Sequence, residues 1–381
     1  MKRMAIFTVS IGEGHHQVSA ALKEEWEERG YEAEIIDIFS LMCSKKAEKI
    51  RKSYFQSIRY PILWDTTYRL TNCKLAGLLV KPLIFLWWKK AVAKWTNKSY
   101  DIIVTTHPIA TQLGVMLKKH VTRPIKLFAV LTDFSTHSLS FSKEVDAIFI
   151  ARKNELGILK NKAPKNRFFS HGIPLKKIWD HSWERNALRK KLALSEEEQI
   201  IVVSGGGEGV ISKEIIWSIL EKDTKPSTVL WFLGKKQTEI PPRVKLDNGT
   251  EIRYFIFSDQ YHEYVKVADF FISKPGGVSM AEALAWGIPT GILCPLPGQE
   301  KINQTVLAAY PTMIMLNKET NLSSIIKKLD KSPRNKTGEL SRVKVIDEMI
   351  NLVESDQVTQ NQHIATKRWF TSFGRKREWS S

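Results

Sequence analysis

The most specific constellation in this chain of 381 residues is Lys274-Pro275-Gly276-Gly277-Val278-Ser279-Met280-Ala281-Glu282. Pro-Gly-Gly forces a tight turn after the apolar run Phe270 to Ile272, and Ser279 suits the first turn of a following helix. Backbone N–H donors on such a turn fit a diphosphate. Glu282 lies one helical turn beyond Ser279. It suits either of two tasks, a capping-box partner or an acceptor for two vicinal ribose hydroxyls. The next loop, Pro295-Leu296-Pro297-Gly298-Gln299-Glu300-Lys301-Ile302-Asn303, offers Gln299 and Glu300, whose side chains suit the hydroxyls of a sugar.

Two simpler glycine turns stand earlier in the chain. In Gly12-Glu13-Gly14-His15 the backbone can approach a ligand closely, with helix N–H groups pointing at it. A Gly-x-Gly-x-x-Gly dinucleotide fingerprint would need glycine at position 17, where Gln17 stands, and no Walker loop occurs. Nucleoside triphosphate hydrolysis is therefore not expected. His15, at the start of a helix, suits a general base or a residue that merely caps and hydrogen-bonds. Gly205-Gly206-Gly207-Glu208-Gly209 is a second turn of the same kind.

These residues need elements to hold them. Met4 to Val9 is a buried-type strand. A helix with Val18, Ala21, Leu22 and Trp26 on one face follows and ends at Gly30, and Glu34 to Phe39 is the next strand. This is one βαβ unit with its glycine turn at the helix start. Further strands are expected at Asp101–Thr105, Lys126–Leu131 and Asp146–Ile150. Thr106-His107-Pro108 and Thr132-Asp133 would lie at their carboxyl edge. A second series opens at Gln199–Ser204 and continues with Val229–Leu233, Ile252–Phe257, Phe270–Ile272 and Thr290–Leu293. The fold class is α/β in two halves, each beginning with strand, glycine loop and helix. The linker falls around Gly172 to Trp183. Facing each other, the two carboxyl edges share one cleft, where open α/β sheets bind ligands.

Composition narrows the class of molecule. Hydrophobic residues are 43% and charged residues 26%, an ordinary globular balance that excludes disorder as the main state. Cys43, Cys73 and Cys294 are too scattered for a disulfide framework or a zinc site, and a reducing compartment fits. The first ten residues are too short an apolar run for a secretory signal, and no uninterrupted run of about 18 apolar residues occurs. The formal net charge is +18. Residues 43–98 carry 13 Lys/Arg against 2 Asp/Glu, and residues 363–381 carry 5 against 1, so 15 of those charges sit in two stretches. Both are rich in Trp, Phe and Tyr. Such a mixture suits an anionic lipid surface, single-stranded nucleic acid, or a solvated face over a normal core. The apolar blocks Leu78–Val80 and Leu83–Trp88 favour lipid, because phosphate binding needs no such block.

Taken together, Ser273-Lys-Pro-Gly-Gly and Pro297-Gly-Gln-Glu-Lys-Ile-Asn303 resemble the processive diacylglycerol glucosyltransferases and monogalactosyldiacylglycerol synthases, family 28 relatives of the MurG glycosyltransferases. The resemblance continues at Gly12-x-Gly14-His15, Thr132-Asp133-Phe134-x-x-His137, Gly172-Ile173-Pro174 and the second glycine loop, in the family's order over about residues 4–310. It implies a GT-B fold, two Rossmann-like domains with an interdomain cleft. Residues 1–178 would form the acceptor-binding, membrane-associating domain, residues 179–355 the nucleotide-sugar domain, and residues 356–381 a basic aromatic tail. It also implies a UDP-sugar donor, a lipid acceptor and no metal, with glycine loops and helix ends in place of a cation.

Residue by residue, Gly276, Gly277 and Ser279 match the diphosphate loop, with Gly12, Gly14, Gly206 and Gly207 in the other glycine turns. Glu282 matches the ribose carboxylate, Gln299 and Glu300 match the sugar contacts, and backbone at Phe255-Ile256 matches the uracil contact. His15 matches a cleft residue of acceptor activation or phosphate contact, and Asp133 a candidate general base. Both are candidate catalytic residues, and which of them is the base stays open. Ser140 stands where the lipid enzymes often carry Trp, Tyr254 where Gly is common and Ala281 where Thr is frequent.

The expected activity is hexose transfer from a UDP-sugar to a hydroxyl of a membrane lipid such as diacylglycerol. The enzyme would be cytoplasmic and peripheral at the inner face of the membrane, with no nucleic acid partner. Three rivals remain: transfer to a polyprenyl-linked or soluble acceptor, a UDP-sugar epimerase on the same scaffold, and a non-catalytic basic binding module.

Overall fold

The computed structural model describes residues 2–10, 12–41, 45, 48–49, 52–53, 60–73, 84–85, 100–180, 184–235, 237–256, 258–293, 298–329 and 341–355. The first sheet contains β1 (Arg3–Thr8), β2 (Glu32–Asp37), β3 (Ile102–Thr105), β4 (Lys126–Val130), β5 (Ala147–Ile150) and β6 (Phe168–Ser170). Its order is β2-β1-β3-β4-β5-β6 and every pairing is parallel. The second sheet contains β7 (Ile200–Ser204), β8 (Thr228–Phe232), β9 (Val244–Lys245), β10 (Glu251–Phe255), β11 (Phe270–Ser273), β12 (Thr290–Ile292) and β13 (Met313–Met315). Its order is β13-β12-β11-β7-β8-β10-β9, parallel except for the antiparallel edge strand β9.

Central strands such as β3, β5, β7 and β8 are buried along their whole length. This is why they read as unbroken apolar runs: helices cover both faces of a parallel sheet. Helix α1 (Glu13–Glu28) lays Val18, Ala21, Leu22 and Trp26 on the first sheet, and Gly30 then turns the chain with φ +78°. The fully buried Trp26 donates its indole N–H to the Glu32 carbonyl at 3.2 Å. The second strand ends two residues earlier than expected. After Asp37 the chain winds into a 3₁₀ turn, Ile38–Leu41, because the Asp37 carboxylate accepts the N–H groups of Ser10 (3.2 Å) and Phe39 (3.0 Å).

Further helices are α2 (Pro61–Thr71), α3 (Pro108–His120), α4 (Lys213–Lys222), α5 (Gly277–Ala285) and α6 (Gln299–Leu307). A last helix, α7 (341–355), returns to the first domain. Ion pairs Lys2–Glu354 (3.3 Å), Arg29–Asp347 (2.7 Å) and Arg342–Glu25 (3.2 Å) fix it there. The described part of the linker, 172–180, is tied down: Ile173 and Trp179 are buried in the main core, and Arg342 also pairs with Asp180 at 2.5 Å.

Each sheet has one point where the strand order reverses, between β1 and β3 in the first and between β7 and β11 in the second. Ligand crevices form outside the carboxyl ends of strands at such points. The turns leaving β1 and β3 are Gly12–His15 and Thr106-His107. Those leaving β7 and β11 are Gly205–Gly209 and Lys274–Gly277. The four turns meet across the cleft.

Among the described residues no helix is long and apolar enough to cross a membrane. Most of residues 43–98 and all of 363–381 lie outside the described residues. The described part of the first stretch includes α2, with Tyr60, Ile62 and Leu70 exposed along it and Phe85 exposed further on.

Candidate active site

His15 is the third residue of α1, and it does not cap that helix. The N-cap is Gly12, at φ +82°, with no side-chain cap. The imidazole instead turns to the end of β3, where Nδ1–H donates to the Thr106 carbonyl at 2.7 Å. Thr132 Oγ1 lies 2.9 Å from the same nitrogen. With its proton committed at Nδ1, the ring keeps its lone pair on Nε2. Burial lowers the His15 pKa below the usual imidazole value, opposed by the nearby Asp133 carboxylate and by the Thr106 carbonyl. A neutral imidazole beside a carboxylate is ready to accept a proton and is stabilised after accepting it.

Asp133 follows β4. Its Oδ2 accepts a bond from Thr132 Oγ1 at 3.3 Å, and its Oδ1 accepts one from Asn303 Nδ2 at 2.9 Å. Asn303 belongs to α6 in the other domain, is wholly buried, and also donates to the Pro275 carbonyl at 3.0 Å. One amide therefore joins the candidate catalytic carboxylate to the Pro-Gly-Gly turn. His107 and His137 complete this side. The His107 ring meets that of His15 edge-on, centroids 4.7 Å apart. Burial, then the neighbouring His15 and His137, hold His107 well below its usual pKa, and burial takes His137 to about 4. Tyr68 of α2 packs edge-on against His137 at 5.4 Å, and burial raises its phenol to about 12.

On the other side the second glycine loop closes tightly. Gly206 (φ +73°) and Gly209 (φ +66°) both adopt the left-handed conformation, and Gly209 N–H donates to the Gly206 carbonyl at 2.9 Å. A Cβ on Gly207 would lie 2.1 Å from Glu13 Cγ of the first glycine turn. Glu13 in turn pairs with Lys235 at 2.9 Å, so these two turns are packed together. Gly14 likewise faces Val278 of α5, 3.3 Å from where its Cβ would stand.

The Pro-Gly-Gly residues divide the work. Gly276 is extended (φ −74°, ψ 134°) and opens onto empty space. A Cβ on Gly277 would stand 2.0 Å from the Thr132 carbonyl oxygen. Gly277 is therefore required by the close approach of the Thr132-Asp133 turn. Ser279 is the third residue of α5, whose N-cap, Gly276, makes no side-chain cap bond. Glu282, also on α5, is buried, and burial raises its pKa to about 8, opposed by the Trp179 indole and by Lys176.

Phe255 ends β10 with its ring stacked on Phe232, centroids 5.1 Å apart, and Ile256 beside it is exposed. Gln299 opens α6, and Glu300 accepts a bond from Lys274 Nζ at 2.6 Å. The Tyr68 ring occupies the space beside Gly298 (φ +81°), 2.9 Å from where a Cβ would be. Of the departures noted in the sequence, Ser140 is wholly buried, so it alters packing under its turn and not the exposed surface.

The sequence pointed to His15, Asp133, the glycine turns, Glu282 and Glu300, and the structure gathers them around one cleft. It adds Thr106, Thr132, His107, Asn303, Tyr68 and Lys274. Thr106, His107 and Thr132 carried a signal, since polar residues just past a buried strand lie at the carboxyl edge. Asn303 closes the Pro-Gly-Gln-Glu motif. Nothing local marked Tyr68. Among the described residues no cluster of His, Cys, Asp or Glu is arranged to hold a metal ion.

Residues 15–175 match the family model of monogalactosyldiacylglycerol (MGDG) synthase, and residues 200–348 match the glycosyltransferase family 28 C-terminal domain. The processive diacylglycerol beta-glucosyltransferase of Bacillus cytotoxicus is 24% identical over 387 residues, covering 96% of each chain. That of Bacillus subtilis is 24% identical over 330 residues, covering 84% of this chain and 85% of the relative. Among solved structures, the glycotransferase of kitacinnamycin superposes with a TM-score of 0.60 at 11% identity, covering 92% of this chain and 99% of that one. The Phytolacca americana UGT2, complexed with UDP-2fluoro-glucose and pterostilbene, gives 0.57 at 11% identity, with 93% and 100% covered. Acinetobacter baumannii MurG gives 0.52 at 11% identity, also with 93% and 100% covered.

Proposed function

The chain belongs to the monogalactosyldiacylglycerol synthase and family 28 glycosyltransferases of GT-B fold, and from that premise we propose that it moves a hexose from a UDP-sugar to a hydroxyl of a membrane lipid such as diacylglycerol. The observation that carries this reading is the join at Asn303. Its amide reaches both Asp133 and the Pro-Gly-Gly turn, so the carboxylate that would stabilise the charged base and the diphosphate loop meet at one point.

In this reading the donor lies along the second domain. Uracil sits at the Phe255-Ile256 backbone and the ribose hydroxyls at Glu282. The diphosphate lies at Gly206, Gly276, Gly277 and Ser279, and the hexose at Gln299 and Glu300. The acceptor hydroxyl approaches from the first domain. His15 Nε2 takes its proton, while Thr106 holds the ring and Asp133 stabilises the imidazolium. The acceptor oxygen bonds to C1 of the sugar, and the C1–O bond to UDP breaks with its electron pair on the diphosphate. Backbone dipoles aimed at that charge lower the barrier without a metal.

A Glu282 that is protonated near neutral pH can both donate to one ribose hydroxyl and accept from the other. The exposed Ile62, Leu70 and Phe85, with the basic stretch around them, support docking on an anionic bilayer at the cytoplasmic face.

Purified protein is assayed for UDP release with UDP-glucose, UDP-galactose and UDP-N-acetylglucosamine over anionic vesicles containing diacylglycerol. Release with one donor, dependent on the lipid acceptor, is expected. No release with any donor overturns the reading. Isomerised sugar nucleotide without acceptor would make the protein an epimerase.

A further inference from the structure

Two donor-side loops meet the side chain of a lysine from a third. Lys274 begins the Pro-Gly-Gly turn. Its stem passes the tip of the second glycine loop, with Cε 3.6 Å from where a Cβ on Gly206 would stand. Its Nζ donates to Glu300 Oε1, beside Gln299 at the start of α6, at 2.6 Å. The side chain is 22% exposed and that of Glu300 13%. Two residues after Lys274 comes Gly276, which opens onto empty space. Lys235, another lysine at this loop, is 44% exposed and tied across the cleft to Glu13.

We propose that Lys274 is the side-chain cation of the donor site, held by Glu300 before the donor arrives and transferred to the diphosphate when it binds. The inference rests on the UDP-sugar reading and extends it. An ammonium on a four-carbon stem pivots over several ångströms without backbone movement. Its move releases a Glu300 carboxylate oxygen towards the hexose hydroxyls as the phosphates gain a charged partner. In the transfer step the C1–O bond breaks and its electron pair stays on the terminal phosphate oxygen. The acceptor oxygen takes its place on C1, and the acceptor proton passes to His15. Lys274 stays protonated throughout and faces the charge that develops on the leaving group, where a fixed cation has its greatest effect.

The roles are separable by calorimetry with UDP and with uridine, which lacks the phosphates. Wild-type protein is expected to bind UDP more tightly than uridine. Lys274→Met should weaken UDP by about 10–100-fold and leave uridine within about twofold, the range of a lost charge-assisted contact. Unchanged uridine binding also shows that the variant is folded. Lys274→Arg should recover most of the UDP affinity. Glu300→Gln should bind UDP at least as tightly as wild type while its turnover falls, because the cation is freed and the sugar contact weakened. The double variant Lys274→Met with Glu300→Gln removes both charges and should lose UDP affinity as Lys274→Met does. If wild-type protein binds UDP no better than uridine, the UDP-sugar reading itself fails. If it does bind UDP better, and Lys274→Met keeps that preference, the assignment of Lys274 is overturned.

Discussion

On the first-domain side of the cleft the candidate groups are side chains: His15, Asp133, His107, His137 and Thr132, each held by a partner from a different element. On the second-domain side they are largely backbone, in turns where Gly206, Gly209 and Gly298 adopt conformations that side chains resist. Burial also acts in opposite senses. It keeps the histidines neutral by driving protons off and keeps Glu282 neutral by holding a proton on. A side that moves a proton needs a titratable group with its lone pair placed. A side that receives a leaving group needs donors fixed before the charge appears.

The sharpest way to break this comparison is His15→Asn. Turnover should fall about 10²–10⁴-fold, the usual contribution of a general base, with UDP affinity unchanged by calorimetry. Equal loss of both would mean that His15 serves the donor. Next comes Gly277→Ala, which sets a methyl group against the Thr132 carbonyl, 2.0 Å away if nothing moves. Overpacking of this kind costs about 1–3 kcal/mol, so kcat/KM should fall roughly 5–100-fold, with UDP itself still bound.

Asn303→Ala removes the amide shared by Asp133 and Pro275 and should cost about 1–3 kcal/mol in thermal unfolding, with turnover reduced alongside. Unchanged stability and turnover would show that the two sides are not joined there.

The smallest effect is a pH dependence with opposite signs on the two sides. Between pH 6.5 and about 4 the unfolded chain binds a proton at His137 that the folded protein does not, so stability falls as pH is lowered through this window. Between pH 4.5 and about 8 the folded protein holds a proton on Glu282 that the unfolded chain lacks, so stability falls as pH rises. Melting curves across pH 4–8.5 should flatten on the upper limb for Glu282→Gln and on the lower limb for His137→Gln. The pH–rate profile should lose activity on the acid side below the ordinary imidazole value, as His15 becomes charged.

The strands were legible wherever both faces are buried. Lys126–Val130 and Ile200–Ser204 announce themselves as continuous apolar runs. The short β6 and β13, at the edges of their sheets, give too few residues for a pattern. Residue types in the site were legible, but partnerships were not. His15 finds Thr106 91 positions away, and Asp133 finds Asn303 170 positions away. The glycines were read as room for a ligand. Gly276 does face open space, whereas Gly277 and Gly207 make room for the other domain's backbone and for Glu13. The capping-box reading of Glu282 gave way because α5 starts at Gly277, which puts Ser279 inside the helix.

Helix α7 carries a mechanical consequence. The chain leaves the first domain once, through the buried linker at Ile173 and Trp179, and comes back to it at 341–355, pinned by Lys2–Glu354, Arg29–Asp347 and Arg342–Glu25. A body joined at two places has lost most of its freedom to translate, and what is left is a swing about the line between the joints. Two joints leave a hinge-like swing as the softest relative movement of the two sheets, and any widening of the cleft along it must separate Asn303 from Asp133.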